Sequence, residues 1–310
     1  DLITGVPPDA DVLAAFLYVQ TAERLDKRWS GIDRARYRAP GVTGSGFDLG
    51  KGDDSLAKAV LSWQQSPAPC WSVTFPGWRK LVTYRVDVLP FMLIDPGTGK
   101  HRVNGLHRVR VPDAGTLVND NDENDDSSDN NSLLPRALGT SLVVIYRDLT
   151  KPYKGLVIYE GAYAKRALST LDLTVEGWYQ ASATNPGAKM THIVGDGRWF
   201  LSERVLFNGQ LVDTNPFISA EGNKWDTKTF PVNLAPNAAS ANVRVTPHTL
   251  LKDCLTYSAI VVETELEDPD RDGIPSALED GSIQNLVDPS GEPVPDFHAT
   301  ILHLLGLDHL

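Results

Sequence analysis

The chain has 310 residues, 41% hydrophobic and 22% charged, with 40 Asp and Glu against 29 Lys and Arg for a formal charge of −11. That size allows one large domain or two ordinary ones. No apolar run reaches the ~20 residues needed to cross a bilayer, two cysteines cannot build a zinc ribbon or an iron–sulfur cluster within one chain, and the acidic balance argues against nucleic acid as a partner.

The sequence opens at Asp1 with neither a basic nor an apolar leader. This reads as an exported protein, extracellular or on the cell surface, whose signal peptide has been removed, or as a trimmed chain. From there it proceeds in short β segments. Val12 to Val19 is apolar on both faces, and Leu81 to Val88 alternates. Ser141–Tyr146, Leu156–Tyr159, Leu171–Val175, Arg204–Phe207, Val243–Val245 and Tyr257–Glu263 follow, rich in Val, Ile, Leu and Tyr and bounded by turn formers. Asn104-Gly105 and Asn208-Gly209 lie between apolar runs. Both residue types tolerate positive φ, so each pair predicts a two-residue hairpin. Helical periodicity is nearly absent before the C-terminus. The expected class is all-β: an antiparallel β-sandwich, one large or two tandem, jelly-roll or immunoglobulin-like.

Charge marks the internal divisions. Residues 113 to 129 hold seven carboxylates and no Lys or Arg, and residues 263 to 280 hold eight carboxylates with one arginine. The remainder is a body of 25 acidic and 28 basic residues. The segment 119–132, NDNDENDDSSDNNS, has no apolar side chain to bury, so it reads as a solvated linker or an ion-collecting loop. The division predicted is a sandwich over 1–118, the acidic segment 119–132, a second sandwich over 133–265, a calcium loop over 266–282 and a tail over 283–310.

Cys70 and Cys254 are the chain's two cysteines, and in an exported protein they are expected to pair as one disulfide. Seven tryptophans, three of them at 63, 71 and 78, suit either a core or a carbohydrate-stacking surface.

One motif carries specific chemistry. Residues 268 to 279 read DPDRDGIPSALE, matching D-x-D-x-D-G-x5-E. Asp268, Asp270 and Asp272 supply carboxylates, Gly273 permits the sharp turn, Ile274 offers its carbonyl, Ser276 contributes directly or through water, and Glu279 closes the site with both oxygens. Ca²⁺ is the expected ligand. The residues before the loop read as a strand and Pro275 interrupts the exit, so this is no helix–loop–helix sensor. It resembles the calcium loops of thrombospondin type 3 repeats, which implies a structural ion.

Hydrolase and nucleotide motifs are missing: there is no G-x-S-x-G, H-E-x-x-H or P-loop. His101 and His107 flank the first Asn-Gly pair, leaving a weak metal site or two surface histidines as the readings. No carboxylate pair is singled out as catalytic, so no catalytic residue is assigned.

Several stretches together resemble a poorly characterised group of large secreted bacterial proteins: VPPDADVLAAFLY, KLVTYRVDV, LGTSLVVIYRD, VIYEGAY, THIVGDG, and the run from Cys254 through the calcium loop into DPSGEPVPDFHA. The resemblance implies a surface or matrix β-sandwich protein with a calcium loop. The last fifteen residues, DFHATILHLLGLDHL, are similar to the C-terminal signature of a secreted sulfatase-like family. Their apolar spacing predicts a short amphipathic helix, expected to dock on its own domain or on a neighbouring subunit. The expected function is a non-enzymatic extracellular calcium-binding structural protein: an adhesin, a matrix component or a subunit of a filament. Its partners would be further copies of itself or other surface components. The alternative is a carbohydrate-binding module, or part of a glycan-active hydrolase, with a glycan as partner.

Overall fold

The computed structural model describes residues 2–25, 31–50, 60–67, 79–112, 135–148, 150–151, 154–177, 187–197, 203–218, 225–236, 238–248 and 254–266. Among them every regular element is a strand, apart from a three-residue 3-10 turn at Leu89–Phe91. In chain order the strands are β1 (Leu2–Ile3), β2 (Asp11–Arg24), β3 (Arg36–Arg38), β4 (Phe47–Asp48), β5 (Val60–Pro67), β6 (Arg79–Asp87), β7 (Gly105–Leu106), β8 (Arg108–Arg110) and β9 (Arg136–Arg147). They continue with β10 (Lys154–Lys165), β11 (Leu171–Glu176), β12 (Gly187–Gly195), β13 (Glu203–Phe207), β14 (Gln210–Thr214), β15 (Trp225–Asn233), β16 (Ser240–Pro247) and β17 (Leu255–Glu265).

The strands pair antiparallel into two sandwiches that also pack on each other. The first sets the sheet β4-β3-β8 over β5-β6-β2-β9, and the second sets β10-β17-β12-β15 over β11-β16-β13-β14. A small β1-β7 ribbon completes the set. In the first sandwich Ala15, Leu17 and Val19 of β2 meet Tyr37 of β3 and the neighbouring Ile32 and Leu49. In the second, Met190, Val194, Tyr257 and Ile260 face Val205, Phe207, Val243 and Val245. A third core forms where Ala14, Phe16 and Tyr18 of β2 press against Ile193, Trp225 and Ala259.

Strand periodicity produces this stacking. Successive side chains leave opposite faces, so β2 sends its odd residues into one core and its even residues into the next. Residues 14 to 23 are all buried, which is why the segment reads as apolar on both sides. β17 is buried along almost its whole length for the same reason. A sheet with water on one face would alternate polar and apolar instead.

The interface between the sandwiches is partly polar, and several of its polar side chains are paired, while Arg85 Nε has no hydrogen-bond partner. Tyr18 Oη donates to Glu160 Oε2 at 3.0 Å, and Arg85 Nη1 lies 3.1 Å from the same oxygen. The Arg85 guanidinium stacks over the Phe16 ring at 5.1 Å. Gln20 Nε2 donates to Thr83 Oγ1 at 3.1 Å and its Oε1 accepts from Thr256 Oγ1 at 2.6 Å. Trp225 Nε1 donates to Ser141 Oγ at 3.0 Å, and Ser141 is 2.7 Å from Thr227 Oγ1. Apart from Gln20–Thr83, which lies within one inner sheet, these bonds run from one inner sheet to the other, and paired polar groups tolerate burial where unpaired ones would not.

Several local expectations meet their structures here. Asn208-Gly209 turns β13 into β14 with φ of 49° and 77°, as a type I′ hairpin requires. Asn104-Gly105 does not make a hairpin. Gly105 belongs to β7, which pairs with β1 some hundred residues away, and Asn104 bonds both the N–H and the carbonyl of Val6 through its side chain. That amide clamp uses the asparagine for a long-range tie instead of a turn. The strand following the acidic segment, β9, pairs with β2 and completes the first sandwich, so that sandwich draws on residues from both sides of 119–132. The segment itself, the calcium loop predicted over 266–282 (apart from Leu266) and the tail 283–310 lie outside the described residues.

Candidate functional site

The ligands predicted for calcium, Asp268, Asp270, Asp272, Ile274, Ser276 and Glu279, lie outside the described residues. The strand that delivers them does not. β17 is held between β10 and β12, and near its end Glu263 receives Lys154 Nζ at 2.9 Å and Lys189 Nζ at 3.3 Å. Burial alone would raise the Glu263 carboxyl, but the two ammonium groups hold it below the usual carboxylate range. This carboxylate of the C-terminal acidic cluster is thus committed to its own sheet. Among the described residues no three His, Cys, Asp or Glu side chains converge as metal ligands. Cys254 immediately precedes β17 and carries no free thiol, while Cys70 lies outside the described residues.

The histidine pair next to Asn104-Gly105 does not form a metal site. His107 is buried, with Nε2 2.7 Å from the Val103 carbonyl and Nδ1 2.7 Å from Tyr37 Oη. A carbonyl only accepts, so Nε2 carries the proton and Nδ1 accepts from the tyrosine. Both nitrogens are occupied, and burial pushes the ring's pKa down. His101 instead bridges to Ile94 in a tight turn. His192, which the sequence did not single out, is fully buried among Phe217, Phe230 and Tyr257, with ring centroids 5.7 to 5.9 Å away. Neither of its nitrogens has a hydrogen-bond partner, and burial drives its pKa to about 3. It is a neutral packing ring.

Of the tryptophans, Trp225 is core. It is 4% exposed, and its ring fills the space that Gly139 and Gly195 leave open. The side chain of Trp63 and all of Trp71 and Trp78 lie outside what is described. The buried carboxylates are engaged structurally: Glu23 accepts from Tyr84 Oη at 2.5 Å and from the Gly31 N–H at 3.0 Å, and Glu203 faces Lys165.

The feature the sequence did not reveal sits on the outer sheet. β3 reads Arg-Tyr-Arg and β8 reads Arg-Val-Arg. Their register sets Arg36 opposite Arg110, Tyr37 opposite Val109, and Arg38 opposite Arg108. Tyr37 and Val109 turn into the core, so the four arginines share the outward face. Like charges directly opposed across a ladder are unfavourable, and here two such pairs stand in succession. Asp48 of β4 lies 3.6 Å from Arg36 Nε, and Arg38 Nη1 donates to the Gly44 carbonyl at 2.9 Å. Arg108 and Arg110 are exposed and have no ion pair among the described residues. Arg38 and Arg108 also wall an open groove of about 460 Å³ with Pro40, Val42 and Leu106, a volume in the range of small-ligand sites.

Comparison with known proteins places these features in no family. No family model matches the chain, and no curated protein matches it. Among solved structures, a family 35 carbohydrate-binding module from Clostridium thermocellum is 16% identical with a TM-score of 0.25, covering 35% of this chain and 97% of its own. The structure of BuGH86 in complex with neoagarooctaose is 12% identical with a TM-score of 0.28, covering 83% of this chain and 34% of its own. Dimeric latent PorU from Porphyromonas gingivalis is 11% identical with a TM-score of 0.29, covering 83% of this chain and 25% of its own. The chain thus spans about a third or less of the two longer proteins. All of these scores are too low to carry function.

Proposed function

We propose that this chain is a rigid, non-enzymatic unit of an extracellular surface, stiffened at its C-terminal side by one structural calcium ion. The observation that carries the reading is the position of the loop motif. Five residue identities at fixed offsets begin three residues after β17 ends, and β17 is a central, two-sidedly buried strand. An ion that orders residues 268 to 279 would fix the direction in which the chain leaves the stack. Extracellular modules of this kind hold calcium with Kd of about 10⁻⁴ to 10⁻³ M. In an oxidising compartment Cys70, which falls in the sequence between β5 and β6, and Cys254 would add a covalent tie to the start of β17.

Calorimetry on EGTA-stripped protein tests the calcium reading. Millimolar Ca²⁺ should release heat and raise the melting temperature, and Asp270→Asn with Asp272→Asn should abolish both. Absence of heat and of any melting shift in the native chain removes the reading. Assembly into fibres is tested separately by electron microscopy of concentrated protein in calcium, where dispersed monomers alone would rule it out.

A further inference from the structure

We infer that the outer face of the first sandwich, the ladder Arg36, Arg38, Arg108 and Arg110, binds an anionic polysaccharide carrying carboxylate or sulfate groups. The inference is independent of the calcium loop. Residues directly opposite on antiparallel strands stand about 5 Å apart at Cβ, and alternate residues on one strand about 7 Å apart. The four guanidinium groups therefore spring from a two-by-two grid. The fold holds two like-charged pairs face to face in a chain whose formal charge is −11. Only Asp48 offers a neighbouring carboxylate among the described residues of that face. An incoming anion relieves the repulsion that the ladder maintains, and each guanidinium presents a planar fork of donors suited to carboxylate or sulfate oxygens.

The groove at one end of the grid decides the class of ligand. It joins the paired guanidinium groups of Arg38 and Arg108 to an apolar wall of Pro40, Val42 and Leu106. A sugar ring has the matching two-sidedness: C–H groups for the wall and an acidic substituent for the arginines. Arg36 and Arg110 continue the positive track beyond the groove, which suits a polymer with anions repeated along its length more than a single small ion. A nucleic acid is disfavoured because Tyr37, the one aromatic of β3 and β8, turns into the core, so the ladder itself offers no ring on which a base could stack.

The test is a titration in EDTA, so that it does not depend on calcium. Fluorescent oligogalacturonate and dextran sulfate serve as the carboxylated and sulfated probes, with neutral dextran as the blank and oligo(dT) as a polyanion of another class. At least one acidic glycan should bind at low salt and weaken as salt rises. Arg38→Gln with Arg108→Gln should weaken it about tenfold or more. Arg38→Lys with Arg108→Lys, which keeps the charge and loses the fork, should fall between. Arg244→Gln, on the far outer sheet, should bind as the native chain does. Circular dichroism and melting confirm that each variant folds. The inference is overturned if neither acidic glycan binds, if oligo(dT) binds as tightly, or if the Arg38/Arg108 double variant binds like the native protein.

Discussion

Lys165 Nζ stands 3.7 Å from Glu203 Oε1, with the two side chains 1% and 2% exposed. The pair links the end of β10 to the start of β13 and so crosses between the two sheets of the second sandwich. Burial pushes the Glu203 carboxyl up, and Lys165 opposes it. Removing one partner leaves the other charge in the interior, so Lys165→Met should cost about 3–5 kcal/mol, whereas removing both as Lys165→Met with Glu203→Leu should recover most of that loss. Urea unfolding of the three variants measures the difference. Equal stability of the single and double variants would show that the two groups do not depend on each other.

His192 gives the protein an acid limit. Its folded pKa is about 3, against about 6.5 in an unfolded chain. Between those values the unfolded chain holds the extra proton, so stability is full above about 6.5 and declines as pH falls toward about 3. The loss at the bottom of that window is on the order of 4 kcal/mol. His192→Leu should flatten this part of the profile, and melting temperatures from pH 7 to pH 4 check it. A variant that loses stability on acidification as steeply as the native chain would exclude His192 as the cause.

Trp225 and Gly139 should behave as a coupled pair. A Cβ added at Gly139 would lie 2.1 Å from Trp225 Cδ2, inside any allowed contact. Gly139→Ala should therefore destabilise by about 1–3 kcal/mol and by much less in a Trp225→Leu background. A double-mutant cycle in urea reads the coupling, and strict additivity would mean that the ring does not set the requirement for glycine.

The proposed Cys70–Cys254 disulfide predicts that unfolding the oxidised protein exposes no thiol to an alkylating agent. Reduction should expose two and lower stability by roughly 2–5 kcal/mol. Two reactive thiols in the oxidised chain would remove the bridge.

What the sequence made legible was whatever is written in short range. The run around Val12–Val19 declared burial on both faces, and Asn208-Gly209 declared its hairpin, because side-chain alternation and positive φ are local properties. Asn104-Gly105 carried the same local signal but serves a tie to Val6, a contact that only the assembled fold supplies. β12 and β15 went unrecognised because their alternation is short: Ala188 to Thr191 alternates but the buried His192, Ile193 and Val194 follow in a row, and Pro231 interrupts β15. Sheet membership was hidden for a different reason: β9 joins β2 across more than a hundred residues, and pairing at that distance leaves no mark on composition. The arginine ladder was hidden in the same way. RYR and RVR are ordinary triplets some seventy residues apart, and they become one surface only through the register of β3 against β8.

Two of the central strands also bear on how the molecule meets a pull. β2 is flanked by β6 and β9, and β17 by β10 and β12. Tension directed along either strand must slide it past two neighbours at once, straining whole ladders together in shear, where an edge strand could peel away one bond at a time. A tether attached through these two strands grips the body where it is hardest to unzip.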